Sequence, residues 1–253
     1  MTTMALRNTG TLAWRTLVQI KHNPFELMDF SIQPVMFLLL FTYVFGGEIA
    51  GSPKEYLAFA LPGIIAQNLI ISTMNTGVGL NTDISKGVFD RLRSLPIARF
   101  SPLAGRIVAD VIKQAWAVCL LLAFGALLGY RITTGPLQVL AVFGLLLTFA
   151  MAVSWASVLI AMLVSSPEKV QIFGFTLFFP LTFASGAFVH PASMPGWLQG
   201  FVKVNPTTLL ADAVRGLLTG GPVATPVTQS LLWAAGFLLI FAPLSVRAFR
   251  RRI

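Results

Sequence analysis

The hydrophobic pattern of this chain consists of long apolar runs separated by short polar stretches. A helix that crosses a hydrocarbon core of about 30 Å needs about 20 residues, most of them apolar. Six runs approach or exceed that length, so the pattern predicts an all-α integral membrane protein with six transmembrane helices. The predicted spans are residues 30–47, 57–80, 107–130, 137–164, 170–189 and 227–246.

Residues 6–21, before the first span, mix apolar and polar positions at helical spacing. Leu6, Ala13 and Leu17 share one face of such a helix, and Trp14 suits the level of the lipid headgroups. We therefore expect an N-terminal amphipathic helix at the membrane interface. The predicted organisation is one domain, 1–253, with an interfacial helix (1–28), a six-helix membrane bundle (29–247) and a basic cytoplasmic tail (248–253).

The segment 86–99, between the second and third spans, is the most basic interior stretch of the chain. Its apolar residues recur at i, i+4 and i+7, which places Val88, Leu92 and Leu95 on one face of a short helix. Pro96 would end that helix, and the charged residues lie on its other faces. These charged residues are Asp90, Arg91 and Arg93. The pattern predicts an amphipathic helix at the membrane surface.

The connection before the last span, residues 190–216, is too long for a tight loop and too apolar for a solvated one. Pro195 and Trp197 begin one short amphipathic helix, and Asn205-Pro206 is a turn into a second, which carries Arg215. Two short helices that return on themselves predict a re-entrant hairpin, which needs protein or water around its backbone. The same pattern also fits two helices lying flat on the outer surface.

Composition supports the membrane interpretation. The 253 residues are 56% hydrophobic and 11% charged, whereas a soluble domain carries about 25% charged residues. The net charge of +9 comes from residues beside the apolar runs, which favours lipid and topology effects over nucleic acid. Of 18 basic residues, 14 fall on the side of the termini and 4 on the other. The positive-inside rule therefore places both termini and the segment 86–99 in the cytoplasm.

Motifs of enzymatic chemistry are absent from the sequence. There is no G-x-x-x-x-G-K-S/T phosphate loop, no H-E-x-x-H, no G-x-S-x-G and no C-x-x-C. His22 and His190 are predicted on opposite sides of the membrane, so they cannot share a metal. Cys119 lies in an apolar run and is expected to be a small buried residue. We therefore expect no catalytic residue and no metal site.

Ionisable and polar side chains inside the spans are few. Asp110 and Lys113 lie three residues apart near the start of the third span, and they are interpreted as a structural ion pair. Five other residues are candidates for the wall of a translocation cavity, although packing between helices is an equally common use. They are Gln33, Asn68, Asn75, Phe175 and Phe179.

Two segments together resemble the ABC-2 family of transporter permeases, and within it the daunorubicin-type drug-resistance exporters of bacteria. The first is residues 87–99, GVFDRLRSLPIAR. The second runs from Phe183 through Phe188 (FASGAF), Pro195-Gly-Trp197 and Asn205-Pro206 to residues 213–216 (AVRG). The six-span layout and the amphipathic N-terminal helix also agree, so the resemblance covers nearly the whole chain.

The resemblance implies a type V (ABCG-like) exporter fold in the plasma (inner) membrane of a bacterium. Such a permease would pair as a homodimer or a heterodimer and would be driven by two copies of a separate ATP-binding subunit. The chain itself would bind no cofactor, since ATP and Mg would lie on the partner. Within the resemblance, the segment after the second span is the helix that couples to the ATPase, braced by Arg15 of the N-terminal helix. The implied coupling residues are Gly87, Val88, Phe89, Asp90, Arg91, Leu92, Arg93, Leu95 and Pro96.

The expected function is therefore ATP-driven export of an amphipathic or hydrophobic small molecule, a drug or a lipid. One alternative within the family is export of a cell-envelope polysaccharide or glycolipid. An alternative from another class is an ion-coupled secondary transporter that works alone. A membrane-embedded enzyme is disfavoured because the sequence offers no cluster of acid, base and nucleophile.

Overall fold

The computed structural model describes residues 9–14, 16–18, 24–88 and 101–252, and all regular structure within these ranges is helical. Residues 9–14 and 16–18 are helical, and Phe41–Phe45 forms one turn of π-helix between two α-helices. The α-helices are α1 (Pro24–Leu40), α2 (Gly46–Ala50), α3 (Pro53–Ser85), α4 (Ser101–Leu127), α5 (Pro136–Leu163), α6 (Pro167–Phe183), α7 (Gly196–Val204), α8 (Pro206–Thr219) and α9 (Ala224–Arg252).

Helix α3 is the centre of the bundle. Ser52 caps its start, since its Oγ accepts a hydrogen bond from the Glu55 amide at 3.2 Å, and Pro53 occupies the first turn. Along its 33 residues α3 packs against α4, α5, α6 and α8, and most of its side chains are buried. The larger apolar core of the described chain forms around it. Any rearrangement of the bundle therefore involves contacts with α3.

Two glycines let neighbouring backbone approach α3 closely. A β-carbon at Gly63 would lie 2.0 Å from the carbonyl oxygen of Ala187, and one at Gly77 would lie 2.6 Å from that of Ser157. No residue with a side chain fits at either distance. These positions set the spacing of α3 from the turns after α6 and from α5.

The predicted first span is a helix that changes its winding part-way. Residues Phe30–Ala50 are apolar and long enough to cross a membrane. Within them the π turn at Phe41–Phe45 inserts one extra residue between α1 and α2. The rings of Phe41 and Phe45 lie 5.2 Å apart on this turn.

Five of the predicted spans are confirmed as helices long and apolar enough to cross a membrane; they comprise Phe30–Ala50, α3, residues Leu103–Leu127 of α4, α5 and α9. The predicted span 170–189 is only partly helical, because α6 has 17 residues and ends at Phe183. The side-chain amide of Asn205 donates hydrogen bonds to the carbonyl oxygens of Leu181 and Ala184 at the end of α6, at 2.8 Å each. The apolar residues that follow therefore form turns, and a six-span layout remains a prediction.

The helical N-terminal residues pack against the start of α4. A β-carbon at Gly105 would lie 2.9 Å from Cβ of Leu12, so the helices cross closely at this glycine. Ala13 is buried in that contact, whereas Trp14 on the other side is 68% exposed. The predicted amphipathic character of residues 6–21 is thus present in the described part of that segment.

Cys119 corrects one expectation. Its side chain lies on the exposed surface of α4 rather than in the core. In a membrane protein an apolar run has one face toward other helices and one toward lipid. Hydropathy alone does not distinguish the two faces.

Candidate coupling and translocation site

The segment that was expected to couple to an ATPase is described only at its beginning. Lys86, Gly87 and Val88 lie within the described residues. The remaining coupling residues predicted from the sequence lie outside them; they are Arg15, Phe89, Asp90, Arg91, Leu92, Arg93, Leu95 and Pro96.

Gly87 has a specific structural role at the end of α3. Its φ of +66° lies in the left-handed region, and its amide donates to the Ile84 carbonyl at 3.0 Å. The amide of Lys86 donates to the Thr82 carbonyl, also at 3.0 Å. Glycine is the residue that adopts this conformation with least strain. Gly87 therefore ends α3 and sets the direction in which the chain leaves it.

The helices on either side of this segment are joined by a partly buried ion pair, which continues into a cluster of charges on α4. Nη1 of Arg106, in the second turn of α4, lies 3.0 Å from Oδ2 of Asp83 near the end of α3. Nε of Arg106 lies 3.7 Å from Oδ2 of Asp110, and Nζ of Lys113 lies 3.1 Å from Oδ1 of the same carboxylate. The predicted pair of Asp110 and Lys113 is thus confirmed. Sequence reasoning missed the link through Arg106 to Asp83.

Phenylalanine rings form a continuous ladder on α6 and the first span. On α6, Phe175 and Phe179 stack with ring centroids 4.8 Å apart, and Phe179 and Phe183 stack at 4.2 Å. The ladder continues from Phe183 to Phe188 at 5.3 Å and from Phe188 to Phe41 at 4.8 Å. The ladder therefore forms a row of apolar rings that runs from α6 through the turn at Phe188 to the π turn of the first span.

The polar candidates for a cavity lie on α1 and α3. Gln33 is exposed on α1, one turn before Phe37, whose ring is 6.4 Å from that of Phe183. Asn75 is exposed on α3 and follows Met74, which fills the space left by the missing side chain of Gly174. Asn68 lies half-buried two turns earlier on α3. Their role in transport stays a prediction.

The hairpin before α9 has one surface helix and one buried helix. Trp197 and the other large apolar residues of α7 are mostly exposed, and Pro195 precedes that helix. By contrast, α8 is buried along nearly its whole length, beginning at Pro206. Asn205 joins the two: its Oδ1 accepts from the Thr207 amide at 2.8 Å while its Nδ2 binds the end of α6.

Arg215 fixes the far end of α8 to α3. Its Nε and Nη2 donate to the Phe59 carbonyl at 3.3 and 3.0 Å, and its guanidinium lies 4.2 Å from the centre of the Phe59 ring. Its remaining Nη1 pairs with Asp212. The imidazole ring of His190 packs against the same Phe59 ring, and the two ring centroids lie 3.9 Å apart. The arrangement ties the hairpin to the central helix.

Tyr130, in the connection after α4, is buried near this cluster. Burial raises the pKa of its phenol to about 12, while the positive charge of Arg215 opposes that rise. Among the described residues its hydroxyl has no hydrogen-bond partner. The described residues also contain no group of three His, Cys, Asp or Glu side chains that could hold a metal.

A known protein family matches most of the chain. The family model for ABC-2 type transporters covers residues 7–219, which include the helices that carry the ion pairs, the phenylalanine ladder and the hairpin. The chain belongs to the ABC-2 type transporter family. The matched range spans both segments on which the resemblance was based.

Relatives of this ABC-2 chain include a daunorubicin resistance ABC transporter permease protein of Streptomyces coeruleorubidus. It is 40% identical over 98% of this chain and 88% of its own length. A probable doxorubicin resistance ABC transporter permease protein of Mycobacterium tuberculosis (strain CDC 1551 / Oshkosh) is 27% identical, covering 87% and 80% of the two chains. A putative transport permease of Cyanophora paradoxa is 28% identical, covering 81% and 72%.

Proposed function

We propose that this ABC-2 protein is the transmembrane permease subunit of an ATP-driven exporter and that a separate ATP-binding subunit supplies the energy. Its family membership supports this proposal, as do the names of its relatives. The absence of a phosphate loop from the sequence also supports it, since a permease without such a loop needs a partner that hydrolyses ATP.

The observation that carries the proposal is the ion pair between Asp83 and Arg106. These residues belong to the two helices that flank the segment 86–99, and their side chains meet at 3.0 Å. A force applied to that segment is therefore passed to α3 and α4 together. Because α3 also contacts α5, α6 and α8, the movement reaches most of the bundle.

The proposed assembly contains two permease chains, identical or different, and two ATP-binding subunits. Each permease chain spans the plasma (inner) membrane of a bacterium six times, with both termini in the cytoplasm. The excess of basic residues on the terminal side supports this orientation. With 17 residues, α6 reaches about 25 Å, the lower limit for a membrane span. The buried helix α8 is the inner arm of the re-entrant hairpin.

The proposed substrate is an amphipathic or hydrophobic small molecule, such as a drug, or a lipid. Two of the relatives are named for resistance to daunorubicin or doxorubicin. The stacked rings of Phe175, Phe179 and Phe183 supply an apolar wall suited to such a compound, and the exposed amides of Gln33 and Asn75 are the proposed polar contacts. This chain binds no cofactor itself, and ATP and Mg bind the partner.

The charge-reversed variant Arg91→Glu/Arg93→Glu tests the coupling role. We expect it to lose assembly with the ATP-binding subunit and nucleotide-dependent transport, because the new glutamates would repel the carboxylates that the arginines are proposed to meet. The matched control is Arg131→Glu/Lys203→Glu, which reverses two exposed charges at the other end of the bundle. Unchanged assembly and transport in the first variant would contradict the coupling role.

The same reconstituted system separates the alternatives. Substrate flux without nucleotide and without the ATP-binding subunit would instead identify an ion-coupled secondary transporter. ATP-dependent flux of a cell-envelope glycolipid or polysaccharide, but not of daunorubicin, would keep the exporter and change its substrate class. Flux of daunorubicin that requires both ATP and the partner is the expected result.

A further inference from the structure

Helix α9 has two distinct faces at its C-terminal end. On the inner face, the Ser245 hydroxyl donates to the Trp155 carbonyl at 2.8 Å, and Phe249 is buried in the core that includes Leu80 of α3. One turn further on, the guanidinium of Arg252 donates to the Ala161 carbonyl of α5. Positions 245, 249 and 252 follow helical spacing, so this face is held against the bundle.

The opposite face of α9 is an exposed apolar stripe. Leu232 is 66% exposed and Leu239 is 76% exposed, and Leu244 is also exposed. Since α9 is long and apolar enough to cross a membrane, this exposed stripe suits contact with lipid. The stripe lies on the side of the helix that faces away from the bundle.

Three arginines continue this stripe at its end. Arg247, Arg250 and Arg251 are exposed, and they follow Leu239 and Leu244 at intervals that keep them on the same side of the helix. They therefore face outward to the membrane boundary. Arg252, in contrast, turns inward to α5. The position of the three arginines on the helix thus separates them from residues that hold the bundle together.

The charge of these arginines is not balanced within the described chain. Helix α9 contains no Asp or Glu, and none of the ion pairs among the described residues involves Arg247, Arg250 or Arg251. The C-terminal end of a helix dipole favours cations, but it amounts to only about half a negative charge and does not neutralise three of them. Three outward guanidinium groups at one membrane boundary provide donors for an anion in that plane.

We propose that Arg247, Arg250 and Arg251 form a binding site for an anionic phospholipid in the leaflet at the C-terminal end of α9. Guanidinium groups match phosphate oxygens with paired hydrogen bonds, and their long stems can lie along the apolar stripe. The acyl chains of the same lipid then lie against Leu239 and Leu244. A protein partner beneath the bundle would meet the end of α9 rather than its side, so the geometry favours lipid.

The bound lipid stabilises the contact between α9 and α5. Holding the outer face of α9 at the boundary keeps Ser245, Phe249 and Arg252 in register with their inner partners. The site rests on α9 spanning the membrane and not on the identity of the exported substrate. Failure of the coupling experiment above therefore leaves it intact.

The test uses the full chain, purified and placed in nanodiscs of phosphatidylcholine with or without phosphatidylglycerol. Retained phosphatidylglycerol is counted by native mass spectrometry, and the melting temperature is measured in both lipids. The variant is Arg247→Gln/Arg250→Gln/Arg251→Gln. The control, Lys54→Gln/Arg131→Gln/Lys203→Gln, removes the same charge from exposed positions at the other end. We expect the first variant to bind phosphatidylglycerol about 100-fold more weakly, about fivefold for each arginine.

Retention in the wild type and in the control, with loss in the first variant, supports the site. Equal loss in both variants overturns it, because the attraction would then follow total charge. Unchanged retention of phosphatidylglycerol in the first variant also overturns the site. If that variant in addition captures the ATP-binding subunit more weakly, the arginines belong to a protein contact. If the triple variant does not fold, Arg250→Gln is compared with Arg131→Gln. Loss of phosphatidylglycerol in Arg250→Gln alone then supports the site, and equal retention in the two variants overturns it.

Discussion

A β-carbon on Gly79 would lie 1.5 Å from Nη2 of Arg106, so the guanidinium occupies the space that any other residue at position 79 would need. Arg106 is held there by Asp83 and Asp110, and only 14% of its side chain is exposed. A glycine in the interior of a long helix is unfavourable by itself. Here it makes room for the ion pair that joins α3 to α4.

Gly79→Ala is therefore expected to push Arg106 away from Asp83. The matched control is Gly144→Ala in α5, where a β-carbon would meet nothing within 4 Å. Both variants gain the same helix propensity, so the difference between them reports the disturbed ion pair, and we expect Gly79→Ala to be less stable than Gly144→Ala by about 2 kcal/mol. Thermal unfolding in detergent measures the difference. Equal melting temperatures would show that the guanidinium moves without loss.

Gly63→Ala is expected to be more severe. The new β-carbon would lie 2.0 Å from the Ala187 carbonyl oxygen, and a backbone atom cannot turn aside as a side chain does. We expect α3 to separate from the turn after α6, with a loss of about 3 kcal/mol in unfolding free energy. The comparison is Gly236→Ala in α9, which has open space around it. A tolerated Gly63→Ala would contradict the close approach.

Asn205 offers a test that separates capping from bridging. Asn205→Ala removes the cap of α8 and two bonds to the end of α6, which together are worth about 3 kcal/mol. Asn205→Asp keeps the acceptor for the Thr207 amide but loses the donor to Leu181 and Ala184. We expect the aspartate to be no better than the alanine in thermal unfolding, because its buried carboxylate would face the carbonyl oxygens of Leu181 and Ala184 and this cost offsets the retained cap. Rescue by aspartate would assign the role to capping alone.

The phenylalanine ladder predicts a change in substrate affinity. Phe179→Ala removes the ring that stacks on both Phe175 and Phe183, whereas Phe173→Ala removes an exposed ring elsewhere on α6. We expect the first to raise the apparent KM for daunorubicin about tenfold and the second to leave it unchanged. Melting temperatures of both variants serve as the control for folding. A KM change shared by both would remove the ladder from the substrate path.

Tyr130 predicts how stability changes at high pH. Its pKa is about 12 in the folded chain against an ordinary value of 10.0, because burial favours the neutral phenol. The folded state holds the proton more tightly, so this contribution to stability is present below pH 10 and is lost as pH rises toward 12. Tyr130→Phe should show a smaller decline than the wild type and, since the hydroxyl of Tyr130 has no partner among the described residues, should cost little stability at neutral pH. Unfolding measured from pH 8 to 11 checks both points.

Hydropathy predicted most of the bundle because a membrane span needs only length and apolar composition. It placed the end of the fifth predicted span too late, since residues 184–189 are also apolar. The carbonyl groups at the end of α6 accept hydrogen bonds from Asn205, which lies more than twenty positions after Phe183 in the sequence. A local pattern does not contain that contact. It also does not separate the lipid-facing side of α4, where Cys119 lies, from the packed side.

The same distinction holds for the candidate site. Asp110 and Lys113 were paired correctly because three positions along a helix are neighbours in space. The link from Arg106 to Asp83 crosses the segment 86–99, so only the fold reveals it. The sequence named Phe175 and Phe179 as candidates, whereas Phe41 and Phe188 reach the ladder through tertiary packing.

The π turn at Phe41–Phe45 has a consequence for comparing this chain with shorter or longer relatives. It corresponds to a single inserted residue, which rotates the helix before it by about 100° relative to the helix after it. A one-position gap in an alignment here would mark a relative whose first span is wound uniformly. In such a relative the ring equivalent to Phe37 would point away from α6, and its ladder would be built from other residues.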